Sequence, residues 1–279
     1  MPLAPGQAVG PLERPTGGAH VWLADASRPP RADHSPARVL DARERRRAAS
    51  LHRYADRRCY IAAHVALRVL LGAYLGLAPE RVRLVREPCP CCGEPHGRPA
   101  VAGAGLHFSL SHSGDLALLA FAASPVGVDV QATGSGAEVA EEVRGVLHPR
   151  EEAELARCDA ASRMDAFARA WVRKEAYLKG LGTGLARSTA LDYLGTGPVP
   201  AAGPTGWRVE DVIVPAGYAA ALAVREPAGP GAGGPGERGP GAVAGGPGER
   251  GPGAVAGRTG VSSPSRRAAR AGSPGRTGR

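Results

Sequence analysis

Apolar residues recur every three or four positions between Asp56 and Leu77, where Ile61, Val65, Leu67, Val69, Leu70, Leu71 and Tyr74 lay a stripe along a helix. A second stripe covers about 162–180, with Met164, Phe167, Trp171 and Leu178 on or near one face, and Gly180, Gly182 and Gly184 stop it. Elsewhere the period is two. HVWLADA (20–26) and VGVDVQ (126–131) alternate as strands. LHFSLS (106–111) and LALLAFA (116–122) flank a break at His112-Ser113-Gly114-Asp115, which predicts a hairpin. RVRLV (81–85) predicts a short strand, and VEDVIVPAGYAAALAV (209–224) a second hairpin around Pro215-Ala216-Gly217. Two shorter helical segments, roughly 137–147 and 150–158, precede the last long helix, with Pro149 in a first-turn position.

The order strand, long helix, hairpin, strand, helix, hairpin is an α+β pattern that runs through about twice. It predicts a lobe over 19–122 and a second over 123–225, with no sequence identity between them. Residues 1–18, rich in Pro and Gly, are expected to be a flexible N-terminus.

Composition separates the remainder. Residues 226–279 hold 17 Gly and 8 Pro, with a twelve-residue duplication, GGPGERGPGAVA, at 233–244 and 245–256. Ordering such a segment costs about 1–2 kcal/mol per residue, and it has almost no large apolar side chain to bury in return. The reading is a disordered Gly/Pro/Arg-rich tail. It carries 8 Arg against 3 Glu, more than half of the chain's net +9. A basic, nucleic-acid-binding face on the folded part is therefore not implied. No apolar run reaches about 18 residues, so no membrane span is expected, and the N-terminus lacks the pattern of a secretory signal. The five cysteines are odd in number and three share one loop, which does not look like a disulfide framework. A cytoplasmic protein is expected.

Among 35 basic residues only Lys174 and Lys179 are lysine, and Asn is absent. A coding bias explains the shift to Arg. Two lysines surviving five positions apart point to at least one place that needs a compact ammonium.

Four constellations could carry chemistry. Asp129 and Gln131 share one face of a strand whose Val128 and Val130 point to the core, and paired oxygens suit Mg²⁺. The bland alternative is a strand-end Asp capping a turn. Trp171, Glu175 and Lys179 share a helix face at i, i+4, i+8, where Glu175–Lys179 is also a plain surface ion pair worth a few tenths of a kcal/mol. His112 lies among hydroxyls in what reads as a tight turn, able to hold a phosphate or simply to satisfy its own backbone. Cys89, Cys91, Cys92 and His96 could bind zinc, but C-x-C-C-x₃-H matches no standard knuckle and no second pair follows.

Taken in order, GRP (97–99), FSLSHS (108–113), GVDVQ (127–131) and WVRKEAYLK (171–179) resemble the motif series of the 4′-phosphopantetheinyl transferases. The closer match is the two-lobed, surfactin-synthetase-activating type, and the likeness spans about 20–225. Each motif is short; their order and spacing carry the resemblance.

The resemblance implies transfer of the phosphopantetheine arm of coenzyme A to a serine of an apo acyl or peptidyl carrier protein, releasing adenosine 3′,5′-bisphosphate. Such carriers serve fatty acid, polyketide or non-ribosomal peptide synthesis. The family's metal carboxylates fall on Asp129 and Glu175, with Gln131 in a slot often filled by Glu. Glu175 also matches the residue proposed to activate the carrier serine, and Lys179 the lysine on the coenzyme A pyrophosphate. Arg98, Ser111 and His112 match positions that contact the coenzyme's phosphates, and Arg57 and Arg58 are further candidates on the first helix. The two-lobed type is usually monomeric, and coenzyme A and Mg²⁺ are expected in the cleft between the lobes.

Three departures follow. Gln131 removes one negative charge from the metal slot, Arg98 replaces the more usual Lys, and Ser109 stands where Asn is common. Two rivals are a different Mg²⁺-dependent phosphoryl enzyme and a non-catalytic protein binding RNA or acidic partners through its tail. The second is weakened by the lack of aromatics to stack bases.

Overall fold

The chain opens along a sheet edge. In the computed structural model, which describes residues 1–28, 35–133 and 145–227, Pro2–Leu3 (β1) pairs in parallel with Leu23 and Ala24 of Ala19–Asp25 (β2). The Met1 ammonium donates to Val21 O at 2.9 Å, Leu12 N to Ala73 O at 3.1 Å, and Arg14 to Ala104 O at 2.6 Å. Leu3 is buried, with Val9 and Leu12 packed on the same core. Three apolar side chains and non-local hydrogen bonds lay this Pro- and Gly-rich segment against the first sheet and α3.

Two helices that apolar periodicity does not reveal follow, Pro36–Val39 (α1) and Ala42–Ala49 (α2). Helix α2 is almost wholly Ala and Arg. Its signal is the capping box Asp41-x-x-Glu44, in which each side chain accepts the other residue's backbone N–H. Tyr54–Leu75 (α3) has 22 residues and ends at Gly76 in the left-handed region, φ 67°. By length and composition it passes as a membrane span, which corrects the expectation that no such run exists. Its Ala63, Leu67, Leu70, Leu71 and Tyr74 pack instead into a core with Trp22, Phe108, Leu119 and Phe121.

Leu84–Arg86 (β3) and Pro99–Val101 (β4) form a small antiparallel ladder; the strand expected at 81–85 starts later because Pro79–Arg81 closes a 3-10 turn. His107–Ser113 (β5) and Leu116–Ala122 (β6) make the hairpin, giving a sheet ordered β1-β2-β6-β5. Strand β5 continues through His112 and Ser113, paired residue by residue with β6, so the turn shrinks to Gly114-Asp115. The tight turn read around His112 is corrected on that ground.

Val126–Ala132 (β7) precedes Pro149–Arg157 (α4) and Ala160–Leu181 (α5, again 22 residues). Trp207–Asp211 (β8) and Tyr218–Arg225 (β9) complete a second antiparallel sheet, β7-β9-β8. The helix expected at 137–147 lies outside the described residues up to 144, and 145–147 form a turn. The tail from 228 also lies outside them.

The architecture is α+β in four layers. Helix α3 covers one face of the first sheet, while Leu118, Ala120, Val21 and Leu23 on its other face meet Val128, Val130 and Leu222 of the second. Helix α5 closes the far side, with Val172, Ala176 and Tyr177 on Ala221 and Ala223. Each half is one long helix on one sheet, antiparallel but for the β1–β2 edge pair, and a shared core joins the sheets.

One contact fixes where α5 sits. A Cβ on Gly127 would lie 1.9 Å from Ala176 O and 2.4 Å from Gly180 N, so only glycine lets the helix backbone rest on β7. Gly127→Ala should lower stability by about 1–3 kcal/mol, as overpacking generally does. A denaturant midpoint unchanged from wild type would show that the contact yields freely.

Candidate active site

Three serines tie the edge strand β5 of the first sheet to the edge strand β7 of the second. Ser109, Ser111 and Ser113 share one face of β5 by alternation, and β7 lies parallel beside it. Ser109 Oγ accepts Val128 N at 3.1 Å and Ser113 Oγ accepts Ala132 N at 3.1 Å. Ser111 Oγ donates to Asp129 Oδ1 at 2.7 Å. Ser109, at the position the resemblance gives to Asn, therefore has a structural bond of its own.

Asp129 is the hub. It is only 6% exposed, and besides Ser111 it receives Lys179 Nζ at 2.5 Å; that ammonium also donates to Ser111 Oγ at 3.0 Å. The α5–Gly127 contact places Lys179 here, one turn beyond Glu175. Glu175 is half-buried, and its carboxylate has no hydrogen-bond partner among the described residues. Burial pushes its carboxyl above the usual carboxylate range, Lys179 opposes the shift and Asp129 adds to it. Two carboxylates thus face one ammonium in a partly desolvated corner. Gln131 lies two residues along β7 on the same side as Asp129, exposed, its amide reaching only Ala132 O at 3.5 Å.

The sign of the Glu175 shift has a measurable consequence. A carboxyl raised above its unfolded value favours the folded state below the ordinary Glu pKa of about 4.3 and loses that advantage as pH rises through the raised value. Glu175→Gln should therefore raise the denaturation midpoint at pH 7 in buffer free of divalent cations. The gain should vanish toward pH 4, and a lower midpoint at pH 7 would contradict a poorly satisfied carboxylate.

The other expected site residues divide. Ser111 joins Asp129 and Lys179. Adjacent His112 points to the opposite face of β5, its ring edge-on to Tyr60 at 6.1 Å, with Tyr60 stacked on His64 at 4.1 Å. Desolvation first, then His64 and Lys179, hold its pKa below the ordinary imidazole value, and Arg47 of α2 adds to this. Arg58 is engaged by Asp115 at 2.5 Å, and Arg57 sits over the Tyr54 ring. Arg47 was missed because α2 shows no apolar period, although its capping box was legible.

Arg98 anchors the mouth of a cleft of about 480 Å³. It donates to Gly180 O at 2.8 Å, at the negative end of α5, and pairs with Glu87 at 2.7 Å. Arg86, His96, Arg98, Lys179 and Thr183 line the cleft, with no carboxylate among its lining residues. Thr183 Oγ1 is enclosed and lacks a hydrogen-bond partner among the described residues. A basic cleft whose Lys179 reaches back to Asp129 suits a polyanion.

The family model for the 4′-phosphopantetheinyl transferase superfamily matches residues 125–204, the stretch holding β7 and α5. The chain is 30% identical over 208 residues to the 4′-phosphopantetheinyl transferase HetI of Nostoc sp., covering 74% of this chain and 86% of that protein. The chain belongs to the 4′-phosphopantetheinyl transferase superfamily. This transferase is also 37% identical over 123 residues to AcpT of Salmonella typhimurium, another 4′-phosphopantetheinyl transferase, covering 43% of this chain and 59% of that one. A solved holo-(acyl-carrier-protein) synthase of Bacillus anthracis, in complex with coenzyme A, aligns with 38% of the transferase and 97% of its own chain at 20% identity and TM-score 0.32. In the transferase the matched stretch supplies Asp129, Gln131, Glu175 and Lys179, while Ser111, His112 and Arg98 come from the sequence before it.

Proposed function

We propose that this transferase moves the phosphopantetheine arm of coenzyme A onto a serine of an apo carrier protein, leaving adenosine 3′,5′-bisphosphate. The carrying observation is the meeting of Glu175 and Lys179 of α5 with Asp129 and Ser111, beside a basic cleft that Lys179 also lines. The new bond joins the serine oxygen to the β-phosphorus of coenzyme A, and the pyrophosphate bond breaks. Glu175, its pKa raised, takes the serine proton on its free carboxylate. Lys179 offers its ammonium to the departing phosphate, and Arg98, Ser111 and His112 contact the coenzyme's phosphates. A phosphate beside His112 would draw its depressed pKa upward, so the imidazole binds as a proton-gaining partner.

The residues fit Mg²⁺. Asp129 and Glu175 are hard oxygen donors, Gln131 adds an amide oxygen, and the unpartnered, half-buried Glu175 carboxylate is what a divalent cation relieves. Asp129, Glu175 and Gln131 would hold the ion, Gln131 directly or through water. When bound, it supplies positive charge to the pyrophosphate.

The carrier serine must reach the cleft, which places the carrier near it and near the stretch after Lys179. The test incubates the full chain with coenzyme A, Mg²⁺ and apo acyl and peptidyl carriers, reading intact carrier mass. A gain of one phosphopantetheine on the carrier serine is expected, lost when the coenzyme is omitted. No gain on any carrier class, from protein that is folded and binds coenzyme A, would overturn the reading.

A further inference from the structure

The loop between β3 and β4 carries a second cluster that the transfer chemistry does not use. Cys89 Sγ, Cys92 Sγ and a ring nitrogen of His96 all lie within 4.8 Å of one another, and Cys92 Sγ is 3.0 Å from His96 Nε2. Tetrahedral zinc, at about 2.3 Å from sulfur and about 2.0–2.1 Å from nitrogen, sets its ligand atoms roughly 3.5–3.8 Å apart. The three atoms bracket that separation.

The backbone builds the cluster. Gly93 N donates to Cys89 O at 2.8 Å, Cys89 N to Glu94 O at 2.8 Å, and Gly93 is left-handed at φ 77°. This turn folds Cys92 back over Cys89. Cys91 itself is exposed and lies outside that group of three, its thiol in reach of Cys89 alone among them. The sequence pattern C-x-C-C-x₃-H thus resolves into C-x₂-C-x₃-H, with Cys91 as a spacer, and C-x₂-C is a standard zinc spacing.

We propose that Cys89, Cys92 and His96 bind one Zn²⁺, with solvent as the fourth ligand. Two thiolates and an imidazole select zinc over the hard, oxygen-seeking Mg²⁺ of the transfer site. Cys89 is buried and the other two ligands are exposed, so the ion enters from solvent. Its structural role follows from the scaffold: β3 and β4 have three residues each, a ladder too short to hold a loop unaided. The loop delivers Arg98 to the cleft, through Glu87 N to Arg98 O at 2.9 Å and Gly97 N to Glu87 O at 2.9 Å. Zinc staples the tip of that loop.

The test uses the full chain, reduced and stripped by chelator, and needs neither coenzyme nor carrier, so its outcome is independent of the transferase reading. Zinc is titrated against a chromophoric chelator, and Co²⁺ substitution is followed by absorption. One zinc per chain and a thiolate-to-cobalt charge-transfer band are expected. Cys91→Ser should keep both, Cys89→Ser and Cys92→Ser should abolish the band, and His96→Ala should weaken zinc by about 10²-fold, at least what losing an outer-shell partner costs. The cobalt spectrum of the unmutated chain needs no variant to fold. The proposal falls if that chain shows no charge-transfer band, if Cys91→Ser loses zinc as Cys92→Ser does, or if Cys89 and Cys92 form a disulfide under reducing buffer.

Discussion

Lys174→Ala should cost about 3–5 kcal/mol of stability, the penalty for breaking a buried ion pair from one side. Lys174 is 2% exposed and Glu151 0%, and their charges meet at 2.7 Å. The ammonium also donates to Thr189 O at 2.8 Å and Asp192 O at 2.5 Å. Glu151 is equally committed. It accepts Leu194 N at 2.8 Å and Gly195 N at 3.2 Å, and it closes the cap of α4 through His148 N at 3.0 Å. An apolar pair in place of the two would therefore not restore stability, because three backbone N–H groups would lose their acceptor. Lys174→Arg should also destabilise, since the wider fork cannot fill a pocket shaped for three bonds to one nitrogen. Set against total stabilities of about 5–15 kcal/mol, the loss is large. Equilibrium denaturation reads it as a lower midpoint at unchanged slope. A midpoint within error of wild type for both variants would mean that the pocket relaxes around the missing charge.

A large loss would also explain the lysine count. The sequence pointed to one lysine needing its ammonium, and the structure gives each a separate reason: Lys174 holds the second half together, Lys179 faces the cleft. Their five-residue spacing turns them about 140° apart on α5, which is why one is enclosed and the other is not.

Periodicity made the two long helices and the β5–β6 hairpin legible, because each buries a full apolar face. It could not show α2, whose Ala and Arg carry no stripe, nor the docking of residues 1–18, which depends on partners at Val21, Ala73 and Ala104. Asp129, Glu175 and Lys179 were readable as motifs, but their meeting depends on Gly127, a plain strand residue until α5 lies over it. The pattern puts Ser109 and Ser111 on a strand and Ser113 in the break after it. Their period of two was the signal that they face one way, toward β7. Cys91 hid the zinc spacing by standing between its ligands.

Asp129→Ala should reduce transfer by about 10³-fold or more, above the 10²–10³ typical of losing one charge-stabilising donor. Asp129 holds Lys179 Nζ and Ser111 Oγ together through a single oxygen, so its loss frees both as well as removing a carboxylate. Lys179→Ala should lose about 10²–10³, chiefly in kcat, if its contact strengthens as the phosphate departs. Lys179→Arg should recover only part, because a planar fork cannot take the position of a point charge. The double variant Asp129→Ala/Lys179→Ala should be little worse than Asp129→Ala alone, since the two act as a unit. Asp129→Asn, which keeps the shape but not the charge, should stay near the alanine variant in rate and nearer wild type in denaturation midpoint. Each rate is read on one carrier at saturating coenzyme A, across a Mg²⁺ titration. An Asp129→Ala enzyme that keeps near wild-type turnover at low Mg²⁺, or multiplicative losses in the double variant, would remove Asp129 from the centre of the reaction and leave the ion pair a structural one.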